Sequence, residues 1–291
     1  MHYLFAFGPN GSYFLSAETY FVFSKALLPG PVNDLVEELD RWTLSEPNAP
    51  PLLRVPWDVA FPMEEGLYTM SWTKSEPGCF MDVNLGPNYT RLECFINKAA
   101  AARVYTSCTV FGPQYSYFSM SPAGYSWQNL SPELEDDIQN GLLKRRPVVV
   151  ALGIQGSHVV LYDDGSAGVE LHGQYPLVEA LLQNKGSRQV MHLALNPFVA
   201  GQYYAVLADG STSWDLPTAW EEQVTGMDPA FANLNQPEPT KEVSAGGTGT
   251  VQHEVISAEP AKEGKDFEMG VTVLEGVKTV VEIYNAASGS G

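Results

Sequence analysis

The sequence predicts a mainly β protein built from about five copies of one short unit, and three observations predict it. The first is a direct repeat. Phe7-Gly8-Pro9-Asn10-Gly11-Ser12-Tyr13-Phe14 matches Phe111-Gly112-Pro113-Gln114-Tyr115-Ser116-Tyr117-Phe118 at six of eight positions. Leu152-Gly153-Ile154-Gln155-Gly156-Ser157-His158-Val159 keeps the Gly and Ser spacing, and looser copies begin at Gly201 and Gly66. The second is turn chemistry: Asp163-Asp164-Gly165, Ala208-Asp209-Gly210 and Pro122-Ala123-Gly124 follow the copies at similar distances. Asp-Gly between alternating segments marks a hairpin, because such turns need positive φ. The third is punctuation: Pro29, Pro87, Pro132, Pro176 and Pro217 recur at gaps of 58, 45, 44 and 41 residues.

Each unit reads as strand, hairpin, strand, then a short helix opened by its proline. In the third unit Ser131 suits the N-cap and Pro132 the first helical position, where a missing N–H costs nothing. Leu134 and Ile138 then share one helical face, as do Val32, Leu35, Val36 and Leu39 in the first unit and Leu177, Val178, Leu181 and Leu182 in the fourth. These signals divide residues 1–227 into units at 3–50, 51–103, 104–147, 148–189 and 190–227, the second placed largely by spacing. Residues 228–266 carry Pro-Glu-Pro, Gly-Gly-Thr-Gly-Thr and few apolar residues, the composition of a flexible linker. Residues 267–291 hold an apolar segment, read as a helix or as a strand completing the domain, and a Ser-Gly tail.

A unit of this length cannot bury both its faces, and stacking copies about an axis solves that problem. Through its Gly-x-x-x-Ser-Tyr-Phe, Asp-Gly and aromatic-x-Leu-Pro elements, residues 3–227 resemble β-propeller repeat proteins of the chromosome-condensation-regulator and fungal propeller-lectin types. That resemblance implies a propeller of five or six blades and a binding function. The pentein-like α/β propeller is the alternative with five units. Its enzymes use a Cys nucleophile near the chain's end, whereas Cys108 is the last cysteine here and lies mid-chain.

The net charge of −18, from 16 Lys+Arg against 34 Asp+Glu, disfavours nucleic acid and anionic membrane surfaces as partners. Three cysteines without CxxC spacing, and an N-terminus without a basic leader, point to reduced thiols in the cytoplasm. No run of about 18 apolar residues suggests a membrane span. The sequence has no GxSxG, Walker or HExxH motif, so no cofactor, metal or catalytic residue is assigned. His158 occupies the slot of Tyr13 and Tyr117 and reads as structural, while His172 and His192 have no evident third metal ligand. Acidic runs at 37–40 and 133–137 read as solvated helix faces.

Aromatic residues are plentiful, with 14 Tyr, 13 Phe and 6 Trp. Those just after the second hairpin turn, Tyr20, Tyr125, Trp127 and Trp214, are candidate ligand residues, with Asp164 and Asp209 beside them. Aromatic rings stack on a sugar's apolar face while carboxylates take its hydroxyls. Packing between units is the competing role for the same rings. The leading function is therefore a non-catalytic glycan-binding propeller. The alternatives are a scaffold that binds another protein through residues 267–284, and a hydrolase whose site no motif reveals.

Overall fold

The computed structural model describes residues 3–17, 20–24, 27–45, 58–73, 79–101, 108–122, 124–141, 144–227 and 279–281. The molecule is mainly β, with five small antiparallel sheets and short helices. The first unit contains β1 (Tyr3–Phe7), β2 (Tyr13–Ala17), β3 (Tyr20–Phe23) and α1 (Gly30–Ser45). The second contains β4 (Asp58–Ala60), β5 (Tyr68–Thr73), β6 (Cys79–Asn84) and α2 (Thr90–Ala101). In the third are β7 (Cys108–Phe111), β8 (Tyr117–Ser121), β9 (Gly124–Gln128) and α3 (Pro132–Gly141). The fourth has β10 (Pro147–Leu152), β11 (His158–Tyr162), β12 (Ala167–Glu170) and α4 (Pro176–Lys185). Last come β13 (Val190–Leu195), β14 (Tyr203–Leu207), β15 (Thr212–Asp215) and α5 (Thr218–Thr225). A detached strand, β16 (Thr279–Val281), pairs with the outer edge of β9. Thus the described part of the C-terminal apolar segment is strand and not helix; the rest of it, and the linker at 228–266, lie outside the described residues.

The strand pairing repeats from unit to unit. Phe7 pairs with Tyr13, Phe111 with Tyr117, Leu152 with His158 and Leu195 with Tyr203. The intervening turn also repeats. Gly8 N–H donates to Ser12 O and Ser12 N–H to Pro9 O, and Gly112/Ser116 and Gly153/Ser157 do the same. Both central residues have positive φ: Asn10 and Gly11 (57° and 73°), Gln114 and Tyr115 (59° and 60°), Gln155 and Gly156 (54° and 78°). Positive φ at both positions is the type I′ geometry, whose twist matches the flanking strands. Gly8 and Gly112 are required by close approach, since a Cβ there would stand 2.1 and 2.5 Å from the Oγ of Ser12 and Ser116.

The core is divided among the junctions between units. On β11, Val159 and Leu161 join a cluster with the fifth unit's Leu193, Leu195 and Tyr203, while Val160 and Tyr162 join Trp127 and Leu134 of the third. Both faces of the middle strand are buried, so it reads as a continuous apolar run. Three more clusters repeat the arrangement, and one joins Tyr204 and Val206 of the fifth unit to Phe5, Phe7 and Tyr13 of the first. The innermost strands lie side by side in the order β1, β4, β7, β10, β13, with β13 also against β1. They enclose a cavity of about 230 Å³. The helices pack at the junctions, their buried residues sharing a cluster with the sheet of the next unit. Ser131 Oγ accepts the Leu134 N–H at 3.3 Å, capping α3, and Leu134 and Ile138 are buried. Leu177 of α4, by contrast, is 51% exposed, so the buried face there runs through Val178.

Candidate functional site

A buried leucine follows the third strand in every unit: Leu28, Leu85, Leu130, Leu171 and Leu216. Four residues later, one helical turn on, a side chain is aimed at the junction with the next unit. These residues are Val32, Tyr89, Leu134, Tyr175 and Trp220. The opposite wall of each junction is the first residue of the next middle strand: Tyr68, Tyr117, His158, Tyr203 and Tyr13, in the same order. Large rings fill three of the junctions. Tyr89 is fully buried and meets Phe111 and Tyr117 at 5.3 and 6.3 Å. Tyr175 donates its hydroxyl to Asn196 O at 2.7 Å and accepts the Ile154 N–H at 2.9 Å. Trp220 lies 4.5 Å from the Tyr13 ring.

The junction between the third and fourth units has Leu134 and His158 at these two places, and a cleft of about 630 Å³ opens there. Its polar lining residues are Gln114, Asn129, Gln155, Ser116, Ser131 and Ser157. Leu134, Leu152, Ile154 and Pro197 supply apolar floor. No charged residue lines it, on a chain whose net charge is −18. The cleft's size falls in the range of small-ligand pockets, and convergent neutral donors and acceptors over an apolar floor suit a neutral ligand rich in hydroxyl or amide groups.

His158, next to the lining residue Ser157, is buried, with Nδ1–H donating to Gly156 O at 3.1 Å and lying 3.3 Å from Ser131 Oγ. Burial pushes its pKa below the ordinary histidine value; His172 adds to this, while the Gly156 hydrogen bond and Glu170 and Glu133 oppose it. The unfolded chain therefore takes up the proton more readily than the folded one. Stability from this residue is complete above the unfolded value of about 6.5 and is lost as the pH falls from there toward the folded pKa. The melting temperature should decline below pH of about 6.5, and His158→Gln should flatten that decline. An unaltered pH profile in the variant would remove His158 as its cause.

The aromatic residues expected to bind ligand are placed elsewhere. Trp127 is 1% exposed in the core between the third and fourth units, and its indole N–H donates to Glu135 at 2.9 Å. Tyr125 is buried in the same cluster. Both rings are withdrawn from solvent, which corrects the reading of them as ligand residues: β9 is buried on both faces. Trp214 is half-buried, paired with Tyr204 and packed against the cluster joining the fifth and first units. Tyr20 begins β3 opposite Ala17, and its side chain lies outside the described part. Asp164 and Asp209 are exposed in the second hairpin turns, each accepting from the N–H of the Ser two residues on, at 2.7 and 2.9 Å. Those bonds lower both carboxyl pKa values. The two turns sit at the far ends of β11 and β14 from the cleft, so the structure does not bring the six expected residues together.

His172 pairs with Glu170 at 3.3 Å, whereas His192 on β13 accepts the Phe5 N–H at 3.0 Å. Among the described residues no group of three or more His, Cys, Asp or Glu could hold a metal ion. Burial, reinforced by the negative charge of Asp58, pushes the Cys108 thiol far up, away from nucleophile chemistry. No helix among the described residues is long and apolar enough to cross a membrane. Comparison with family models, curated proteins and solved structures gives no match.

Proposed function

We propose that the chain is a five-bladed β-propeller acting as a non-catalytic binding module, with a neutral glycan as its ligand. Support for the propeller comes from the cyclic order of the innermost strands and from the core cluster joining the last unit to the first. The three strands of each sheet follow one another with the helix last, which favours the all-β architecture over the pentein-like one.

The observation that carries the ligand reading is the uncharged, amide- and hydroxyl-lined cleft between the third and fourth units. Sugar hydroxyls exchange water for such groups at a small net gain of about 0.5–1.5 kcal/mol per bond, so one cleft gives weak binding. Large rings fill three of the other junctions, so those three do not repeat the cleft.

The test is an array of neutral glycans probed with the wild-type protein and with Leu134→Tyr, which places in this junction the residue found at Tyr89 and Tyr175. Wild-type protein should be retained, and the variant should lose about tenfold or more of that retention, beyond any fall in its folded fraction measured by thermal melting. Gln155→Ala, at an exposed rim position, should weaken retention without touching the core. Retention of no glycan by the wild type, or equal retention by Leu134→Tyr, overturns the reading.

A second reading, a protein-binding scaffold, is favoured by β16, which adds a strand to the edge of β9. Such an edge accepts extended segments through main-chain hydrogen bonds. Pull-down with and without residues 228–291 separates it from the first.

A further inference from the structure

The first hairpin turns of the first, third and fourth units share their hydrogen bonds and the positive φ of their two central residues, yet differ in kind at the second of these. Where two turns place Gly11 and Gly156, the third places Tyr115, at φ 60°. Glycine adopts this conformation freely, whereas a side chain with a Cβ crowds the neighbouring carbonyl. The chain braces the strained tip. Gln128 Nε2 donates to Tyr115 O at 3.1 Å, and Asn129 Nδ2 donates to Gln114 O at 3.0 Å. The ring gains little burial in exchange, being 43% exposed, with one edge-to-face contact to Tyr89 at 6.1 Å. Its neighbours on either side, Gln114 and Ser116, line the cleft.

Strain held where folding alone would select glycine points to a functional duty. We infer that Tyr115 is a ligand-contacting residue that extends the cleft over the tip of the third unit's turn, so that the site selects glycans of two or more sugar units. One sugar occupies the cleft among Gln114, Asn129 and Gln155, and the next lays its apolar face on the Tyr115 ring. This inference rests on the glycan reading above and adds to it the length of the ligand and the residue that measures it. A lid duty, with the ring merely covering Tyr89, makes the opposite prediction for stability.

The experiment uses the full chain, Tyr115→Gly and Tyr115→Asn, since asparagine also tolerates positive φ. Each is measured for melting temperature and for retention on neutral glycans from monosaccharide to about hexasaccharide length. Wild-type retention should rise about tenfold or more between one and two sugar units. Both variants should hold monosaccharides like the wild type and lose that rise. Tyr115→Gly should melt about 2–4 °C higher than the wild type, through release of the strain. A lower melting temperature in Tyr115→Gly, or an unchanged length dependence, overturns the inference. If Leu134→Tyr abolishes retention while the Tyr115 variants keep the full rise, this inference falls and the cleft reading stands. A wild type that retains no glycan overturns both.

Discussion

Trp127→Ala should destabilise the protein by about 3–5 kcal/mol, the range for removing a large buried ring. The indole fills the core between the third and fourth units with Phe118, Leu130, Val150 and Val160, all buried. Its N–H also donates to Glu135 on α3, so alanine removes both packing and the tie that holds the helix against its sheet. The loss should appear as a lower urea midpoint at an unchanged slope, with glycan retention falling only in proportion to the folded fraction. Trp127→Phe keeps most of the volume and should recover much of the loss. A variant that retains wild-type stability and selectively loses ligand would return Trp127 to the binding surface.

Asp58→Leu should cost about 3 kcal/mol, although Leu4 fills the corresponding place on the first unit's inner strand. Asp58 is buried, and its carboxylate accepts both the Thr109 N–H at 3.1 Å and the Thr109 hydroxyl at 3.0 Å. An inner strand's unpaired edge leaves N–H groups facing the preceding unit, and a buried N–H without an acceptor is expensive. His192 performs the same service at the junction of the fifth unit with the first, through the Phe5 N–H. Leucine at position 58 strands the Thr109 N–H and leaves the Thr109 hydroxyl with Ser119 Oγ, at 3.0 Å, so the double variant Asp58→Leu/Thr109→Val should recover little of the loss. Asp58→Asn keeps a carbonyl acceptor and should cost less. Urea unfolding and the exchange rate of the Thr109 amide measure both. A stable Asp58→Leu protein with a still-protected Thr109 amide would show that another group satisfies it.

The hairpins were legible because their chemistry is local. Pro-Asn-Gly-Ser and Asp-Gly each specify a turn within four residues, and the equivalence of His158 with Tyr13 and Tyr117 follows from counting along matched segments. The duty of Trp127 and Tyr125 was not legible. β9 is buried on both faces, so alternation offers no clue to which side meets solvent. Some signals in the sequence were present and unread. A small residue then a large one ends each inner strand: Ala6-Phe7, Ala60-Phe61, Val110-Phe111, Ala151-Leu152 and Ala194-Leu195. That pair would have located the second unit, which spacing alone had placed. The cleft escaped because its lining comes from two units, around Leu134 and around residues 154–157, that meet only in the folded chain. Leu134, like Val32, is aliphatic where the other units place an aromatic ring, and such departures are visible only once the repeat has been aligned.

The junction between the fifth and first units has no strand passing from one sheet into the other: β1, β2 and β3 are consecutive, as are β13, β14 and β15. It is held through the stack of Phe5 on Tyr204 at 4.6 Å, the hydrogen bond of Tyr13 to Gln223 and the acceptance of the Phe5 N–H by His192. Every other junction joins neighbours in sequence, whereas the Phe5–His192 bond spans 187 residues. Closing a loop that long costs about 1 kcal/mol more in chain entropy than closing one of a single unit's length. The entropic barrier to assembly is therefore concentrated at one seam. The same lack of a crossing strand means that the chain's ends could be moved to another junction without cutting a sheet.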